Sequence, residues 1–260
     1  MKEITSYPHG AFCWYELATT DFNAAKNFYS NVFGWDAQMA LEQPGMEYLI
    51  FTKEGKAIGG LYNLQPPQKE MNLPPHWMPY VNVNSIEDAL QAATAAGGNV
   101  IMPATEVMEH GRMAIIADPE GGVVSLWQAK NMAGTEIADA HGAPSWNEYA
   151  SKEPSRSIPF YESVFGWKGN TNNMGGMDYT TFASGENMAA GLWQMPEEMR
   201  HLPTHWLTYF TVEGLDAALA KASENGGEAL APKMYVEGVG YFAVVRDPQG
   251  AALGLISEKE

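Results

Sequence analysis

The sequence predicts an α+β fold built from four βαβββ modules in two similar halves. Two observations carry this reading: an internal repeat that spans the chain, and a strand, helix, three-strand pattern that occurs twice in each half. The repeat is direct. Phe28-Tyr29-Ser30-Asn31-Val32-Phe33-Gly34-Trp35 returns as Phe160-Tyr161-Glu162-Ser163-Val164-Phe165-Gly166-Trp167, and Trp14 and Glu16 return as Trp146 and Glu148 in the same register. Further along, His76-Trp77 matches His205-Trp206, Gly97-Gly98 matches Gly226-Gly227, and Asp118-Pro119-Glu120-Gly121 matches Asp247-Pro248-Gln249-Gly250. The register shortens by three residues between Trp35 and His76. Residues 1–130 and 142–260 are therefore expected to be two domains, with the Ala- and Gly-rich stretch 131–141 as linker.

The elements follow in order. Alternation over Phe12–Leu17 predicts a strand that places Trp14 and Glu16 on one face and Cys13, Tyr15 and Leu17 on the other. Asp21 is a candidate N-cap for a helix over Phe22–Val32, with Ala24, Ala25, Phe28, Tyr29 and Val32 at helical spacing and Gly34 as terminator. Strands are expected at Tyr48–Thr52 and Ala57–Asn63. The pattern then restarts, with a strand over Met78–Val83 and a helix over Ile86–Ala96 that stops at Gly97-Gly98. Two further strands, near Met113–Ala117 and Val123–Trp127, flank a turn at Asp118–Gly122.

Composition excludes several classes of function. Hydrophobic residues make up 45% of the 260 positions and charged residues 18%, enough apolar surface for two cores and too little charge for disorder. A net charge of −16, with 15 Lys and Arg scattered singly, disfavours nucleic acid and anionic membranes. The first ten residues lack the apolar core of a signal peptide, and no apolar run approaches the roughly 18 residues of a membrane helix, so a cytoplasmic location is expected. Cys13 is the only cysteine, which rules out an intramolecular disulfide and a thiolate zinc cluster.

Paired βαβββ units, a helix ending in Phe-Tyr-x-x-Val-Phe-Gly-Trp and a last strand preceded by Asp-Pro-x-Gly resemble the glyoxalase/bleomycin-resistance/dioxygenase (vicinal oxygen chelate) superfamily. The resemblance covers Phe12 to Ile256. It implies two glyoxalase-like domains, each with a curved mixed sheet around a cleft and helices outside. It also implies a divalent metal held by His, Gln or Glu on the first and last strands of a module. Here the matching first-strand positions are Trp14, Met78, Trp146 and Leu207, and the last-strand positions are Ser125 and Gly254. None suits a divalent ion, so neither metal nor cofactor is expected.

The expected function is binding of a small organic molecule in aromatic-lined clefts, with a second copy of the chain as a candidate partner. Glu16 and Glu148 are the candidate catalytic or ligand-binding carboxylates, partly desolvated and raised in pKa. They are equally readable as carboxylates at a wet cleft mouth. Trp14, Trp127, Trp146 and Trp193 could wall the clefts or fill core, and Tyr80 and Tyr209 could orient a ligand or bond to backbone. The alternatives are a lyase or isomerase that uses a Glu base on a small carbonyl compound, or a metal enzyme with a non-standard site. His76 and His205, read as the only histidines that repeat while His9, His110, His141 and His201 are read as lacking counterparts, would be the fallback ligands, although their position after proline loops favours a structural bond. Cys13 is expected to be buried, inert and turned away from the cleft.

Overall fold

The computed structural model describes residues 2–174 and 176–260. The first half runs β1 (Phe12–Thr19), α1 (Phe22–Phe33), β2 (Asp36–Gln43), β3 (Met46–Lys53), β4 (Lys56–Asn63), β5 (His76–Asn82), α2 (Ile86–Ala95), β6 (Asn99–Val107), β7 (Gly111–Ala117) and β8 (Val123–Ala129). The second repeats it as β9 (Pro144–Ser151), α3 (Pro154–Phe165), β10 (Lys168–Met174), β11 (Met177–Ser184), β12 (Asn187–Gln194), β13 (His205–Thr211), α4 (Leu215–Glu224), β14 (Glu228–Ala229), β15 (Met234–Val236), β16 (Gly240–Arg246) and β17 (Ala252–Ser257). The strands β2 and β6 carry no usable sequence signal. Most of their side chains are exposed on both faces, so hydrophobic alternation is absent.

Each half forms its own sheet. The first has the order β2-β3-β4-β1-β5-β8-β7-β6 and the second β10-β11-β12-β9-β13-β17-β16-β14, with β15 also on β16. Modules therefore pair within a half, through antiparallel β1/β5 and β9/β13, each flanked by a parallel neighbour. The helices do the opposite. α1 packs on α4 and α2 on α3, so each helix pair joins the halves. The pairing glycines that stop α2 and α4 serve this contact. A Cβ on Gly98 would lie 2.4 Å from the Phe160 ring, and one on Gly227 would lie 2.9 Å from Phe28.

The helix-facing sides of both sheets share one core. Phe210 packs among Tyr15, Phe33, Trp35 and Trp77, and Phe12 among Trp167 and Trp206. Polar bonds cross it. Asn147 donates to the Tyr15 hydroxyl at 3.0 Å, and Tyr29 donates to Asp247 at 2.9 Å while accepting from Trp77 at 3.0 Å. Asp118 and Asp247 are thus more than turn residues. The other oxygen of Asp247 takes three backbone N–H groups of its own turn, so one side chain shapes the turn and ties the halves together.

Two further readings are corrected. Cys13 does not turn away from the cleft. A β-bulge between Phe12 and Trp14 breaks the alternation, and Cys13 packs with Trp14, Tyr80 and Trp127, its thiol pushed up in pKa by burial. His9 and His141 do form a repeated pair, each within His-Gly-Ala. Their Nδ1 atoms accept the backbone N–H groups of Asn84 and Glu213, at 3.2 and 3.3 Å.

The start of α3 is held by the opposite half. Glu120 accepts from Ser151 Oγ at 2.6 Å, from the Lys152 N–H at 3.0 Å, and from Glu153 N–H and Ser157 Oγ. The pseudo-equivalent Gln249 has no such task, because α1 is capped by its own Asp21. Replacing Glu120 with Ala is expected to cost about 2 kcal/mol, by loss of a charged acceptor at a helix start. Gln249→Ala should cost less than half as much. Urea unfolding of both variants measures the difference.

Candidate functional site

The faces opposite the helices carry two matching clusters. On β1, Trp14 and Glu16 share a face, and β1 lies between β4 and β5 in the register Glu16 to Gly60 and Glu16 to Met78. Tyr80, two residues beyond Met78, returns to the same face beside Ser125 of β8. Both oxygens of Glu16 are engaged: Tyr48 donates to Oε1 at 2.7 Å and Tyr80 to Oε2 at 2.5 Å. Trp14 Nε1 in turn donates to the Tyr48 hydroxyl at 3.2 Å.

The second half repeats the arrangement. Tyr179 and Tyr209 donate to the two oxygens of Glu148 at 2.8 and 3.2 Å, and Trp146 Nε1 donates to the Tyr179 hydroxyl at 3.1 Å. Trp193 stands opposite Ala150, two residues along from Glu148, so it flanks the carboxylate on the side away from Trp146. Tyr62 holds the Trp193 position in the first half. Trp127, whose pseudo-equivalent is Ile256, packs edge-on to Tyr80 and donates its N–H to Met132 O at 2.9 Å.

Burial raises the pKa of both carboxylates, and the tyrosine and tryptophan donors pull partly the other way. The same burial, with the adjacent carboxylate charge, raises Tyr48, Tyr80, Tyr179 and Tyr209. These phenols stay protonated donors at neutral pH. The four phenol protons are spent on the carboxylates and the Trp14 and Trp146 N–H groups on the phenol oxygens, which leaves lone pairs on carboxylate and phenol oxygens.

The structure thus brings Trp14, Glu16, Tyr80 and Trp127 together in one half and Trp146, Glu148, Trp193 and Tyr209 in the other. Sequence reasoning missed Tyr48 and Tyr179, the second donor to each carboxylate. They recur 131 residues apart, as do Gly60-Leu61 and Gly191-Leu192, a register intermediate between the two found first. The glycines are required. A Cβ would fall 2.0 Å from Tyr48 Oη at Gly60 and 1.9 Å from Tyr179 Oη at Gly191.

The donor set does not fit a divalent metal. Trp14, Met78 and Ser125, and likewise Trp146, Leu207 and Gly254, occupy the expected ligand positions. Among the described residues no three His, Cys, Asp or Glu side chains gather closely enough to share an ion. His76 and His205 bond through Nδ1 to Pro74 O and Pro203 O, at 2.8 and 2.9 Å. Among the described residues no helix is long and apolar enough to cross a membrane.

Gly191→Ala should therefore displace Tyr179 from Glu148. Ultraviolet difference spectroscopy of the tyrosines, together with a crystal structure of the variant, checks this; a variant in which the Tyr179–Glu148 bond survives unchanged contradicts it.

Comparison with known proteins agrees with this fold. The family model "Glyoxalase/Bleomycin resistance protein/Dioxygenase superfamily" matches twice, at residues 11–126 and 145–255. The chain is 34% identical over 258 residues to "Putative glyoxylase CFP32" of Mycobacterium tuberculosis, covering 98% of each. It is 26% identical over 272 residues to "Anthracycline biosynthesis protein DnrV" of Streptomyces peucetius, covering 99% of this chain and 96% of that one. Among solved structures, the Mn(II)-bound glyoxalase from Novosphingobium aromaticivorans superposes with a TM-score of 0.66 at 17% identity, covering 97% of this chain and 83% of the other. The 2,3-dioxygenase LapB from Pseudomonas sp. KL28 superposes with a TM-score of 0.65 at 15% identity, covering 99% and 94%. Two matched segments, one in each sheet, place this chain in the glyoxalase/bleomycin resistance protein/dioxygenase superfamily.

Proposed function

We propose that this protein binds a small, flat organic cation in its aromatic-lined clefts, without a divalent metal such as the Mn(II) bound to the Novosphingobium glyoxalase. One observation carries the reading: a carboxylate in each half is ringed by aromatic side chains and already holds the protons of two tyrosines. What remains to a ligand is negative charge, acceptor lone pairs and π faces, which together favour a cation with N–H groups or a delocalised positive ring. The overall charge of −16 favours the approach of such a ligand. The relative named for anthracycline biosynthesis makes a flat polycyclic ligand a reasonable size class.

A second reading, a lyase or isomerase that uses Glu16 or Glu148 as base on a small carbonyl compound, is favoured by the raised pKa of both carboxylates. The name of the mycobacterial relative points the same way. Incorporation of solvent deuterium next to the carbonyl of such a compound, lost in the Glu variants, would decide for it.

Titration with proflavine, a planar cation, tests the first reading against uncharged acridine and anionic anthraquinone-2-sulfonate. The cation should bind, and the double variant Glu16→Gln/Glu148→Gln should weaken it at least about tenfold, or ~1.4 kcal/mol. Equal binding of all three probes would refute the charge argument. Affinity should also fall on acidification. Protonation removes the negative charge, and because burial raises these pKa values the fall should begin above the ordinary Glu range of about 4.3. The double variant should show no such fall.

Dialysis against EDTA should leave the titration unchanged. Binding that disappears and is restored by Zn, Ni, Fe or Mn would require a metal site built from other residues.

A further inference from the structure

The two carboxylate clusters are copies of one another, and the chain around them is not. Cys13 is fully buried, whereas its pseudo-equivalent Ser145 is exposed. Trp14 is 3% exposed, whereas Trp146 is only half-buried. Ala57 is half-buried, whereas Met188, which matches it on β12, is 58% exposed.

The cause is the segment between the halves. It does not hang free but crosses the first sheet as a strap. Met132 packs against Trp14, Tyr80 and Trp127, and its carbonyl takes the Trp127 N–H. The Thr135 N–H donates to Cys13 O at 2.7 Å. The Glu136 N–H donates to Ala57 O at 2.8 Å, and the Glu136 carboxylate takes the Ala57 N–H at 2.7 Å. Gly134 has φ +146°, and a Cβ there would lie 2.1 Å from Cys13 O, so the strap sits directly on the β1 backbone. Tyr7, which donates to Thr135 O at 2.9 Å, and the short ladder of Lys2–Glu3 with Ile137–Ala138 hold it down. A depression of about 740 Å³ runs along the strap and touches Tyr7, Trp14, Ile50 and Met132, but Glu16, Tyr48 and Tyr80 do not line it.

We infer that the cleft of the second half, around Glu148 between Trp146 and Trp193, is the one that receives the flat cation, and that Met132 of the strap occupies the wall that Trp14 and Trp127 form in the first half. A stacking ligand needs an uncovered ring face. Trp14 and Trp127 are buried in a cluster against which the chain's own Met132 packs, while Trp146 and Trp193 are each only half-buried. The inference rests on the cation-binding reading and goes beyond it by making the clefts unequal, where the repeated residues alone predict two alike.

Calorimetric titration of the whole chain with proflavine tests it, together with hydroxyl-radical footprinting of the tryptophans with and without the probe. The expected result is one proflavine per chain, affinity reduced at least tenfold by Glu148→Gln, and protection of Trp146 and Trp193. Gly134→Val, which cannot keep φ +146° or the contact with Cys13 O, should lift the strap and raise the stoichiometry to two. Two equal sites in the unaltered protein, or protection at Trp14 and Trp127 instead, would overturn the inference and leave the cation reading standing. Absence of proflavine binding in every form would overturn both.

Discussion

The shared core between the two sheets is the constraint on which both clefts depend. Each sheet presents one apolar face and must bury it, and here the two halves bury theirs against each other with four helices between. The helix-facing sides are thereby consumed, and only the opposite faces remain for chemistry. The polar contacts within this core are matched in placement, although only one of the two tyrosine–aspartate pairs is hydrogen-bonded. A tyrosine on α1 reaches an aspartate in the second half, and the matching tyrosine on α3 lies beside Asp118 of the first. A buried hydroxyl without a partner would cost about 1–3 kcal/mol, so these contacts also set the register of one half on the other.

The clefts inherit their order from the same arrangement. β1 and β9 have Tyr15, Leu17 and Tyr149 locked into the core on one side, which leaves Glu16 and Glu148 no choice of direction. The neighbouring glycines then admit the phenol oxygens of Tyr48 and Tyr179 where any side chain would block them. A carboxylate held in this way is stiff. Its lone pairs point where the backbone puts them, and it is suited to recognising a ligand of fixed shape.

Duplication supplied two such sites, and the connection between the halves made them different. Once two domains are joined in one chain, the connecting segment must lie somewhere. An uncovered aromatic wall offers it apolar contact, as Met132 shows. The same segment has no reason to treat both halves alike, because it leaves the first sheet at its last strand and enters the second at its first.

Much of this was legible in the sequence. The repeat, the helices with their caps and glycine stops, the inward direction of Trp14 and Glu16 and the poor match to metal ligands all follow from local rules: period, turn chemistry and ligand type. Other features were not legible. The strands β2 and β6 lack alternation because both of their faces are largely exposed. Cys13 escapes parity because a bulge inserts one residue, and a bulge leaves no mark on hydrophobic pattern. Tyr48 and Tyr179 look like ordinary strand residues until a glycine on the adjacent strand brings them to a carboxylate more than thirty positions away. The sequence by itself determined which side chains each half possesses and which way most of them point. Only the tertiary structure decided which of them meet across strands, which half caps the other's helix, and which cleft the chain covers with itself, because those outcomes depend on distances through space that no local spacing encodes.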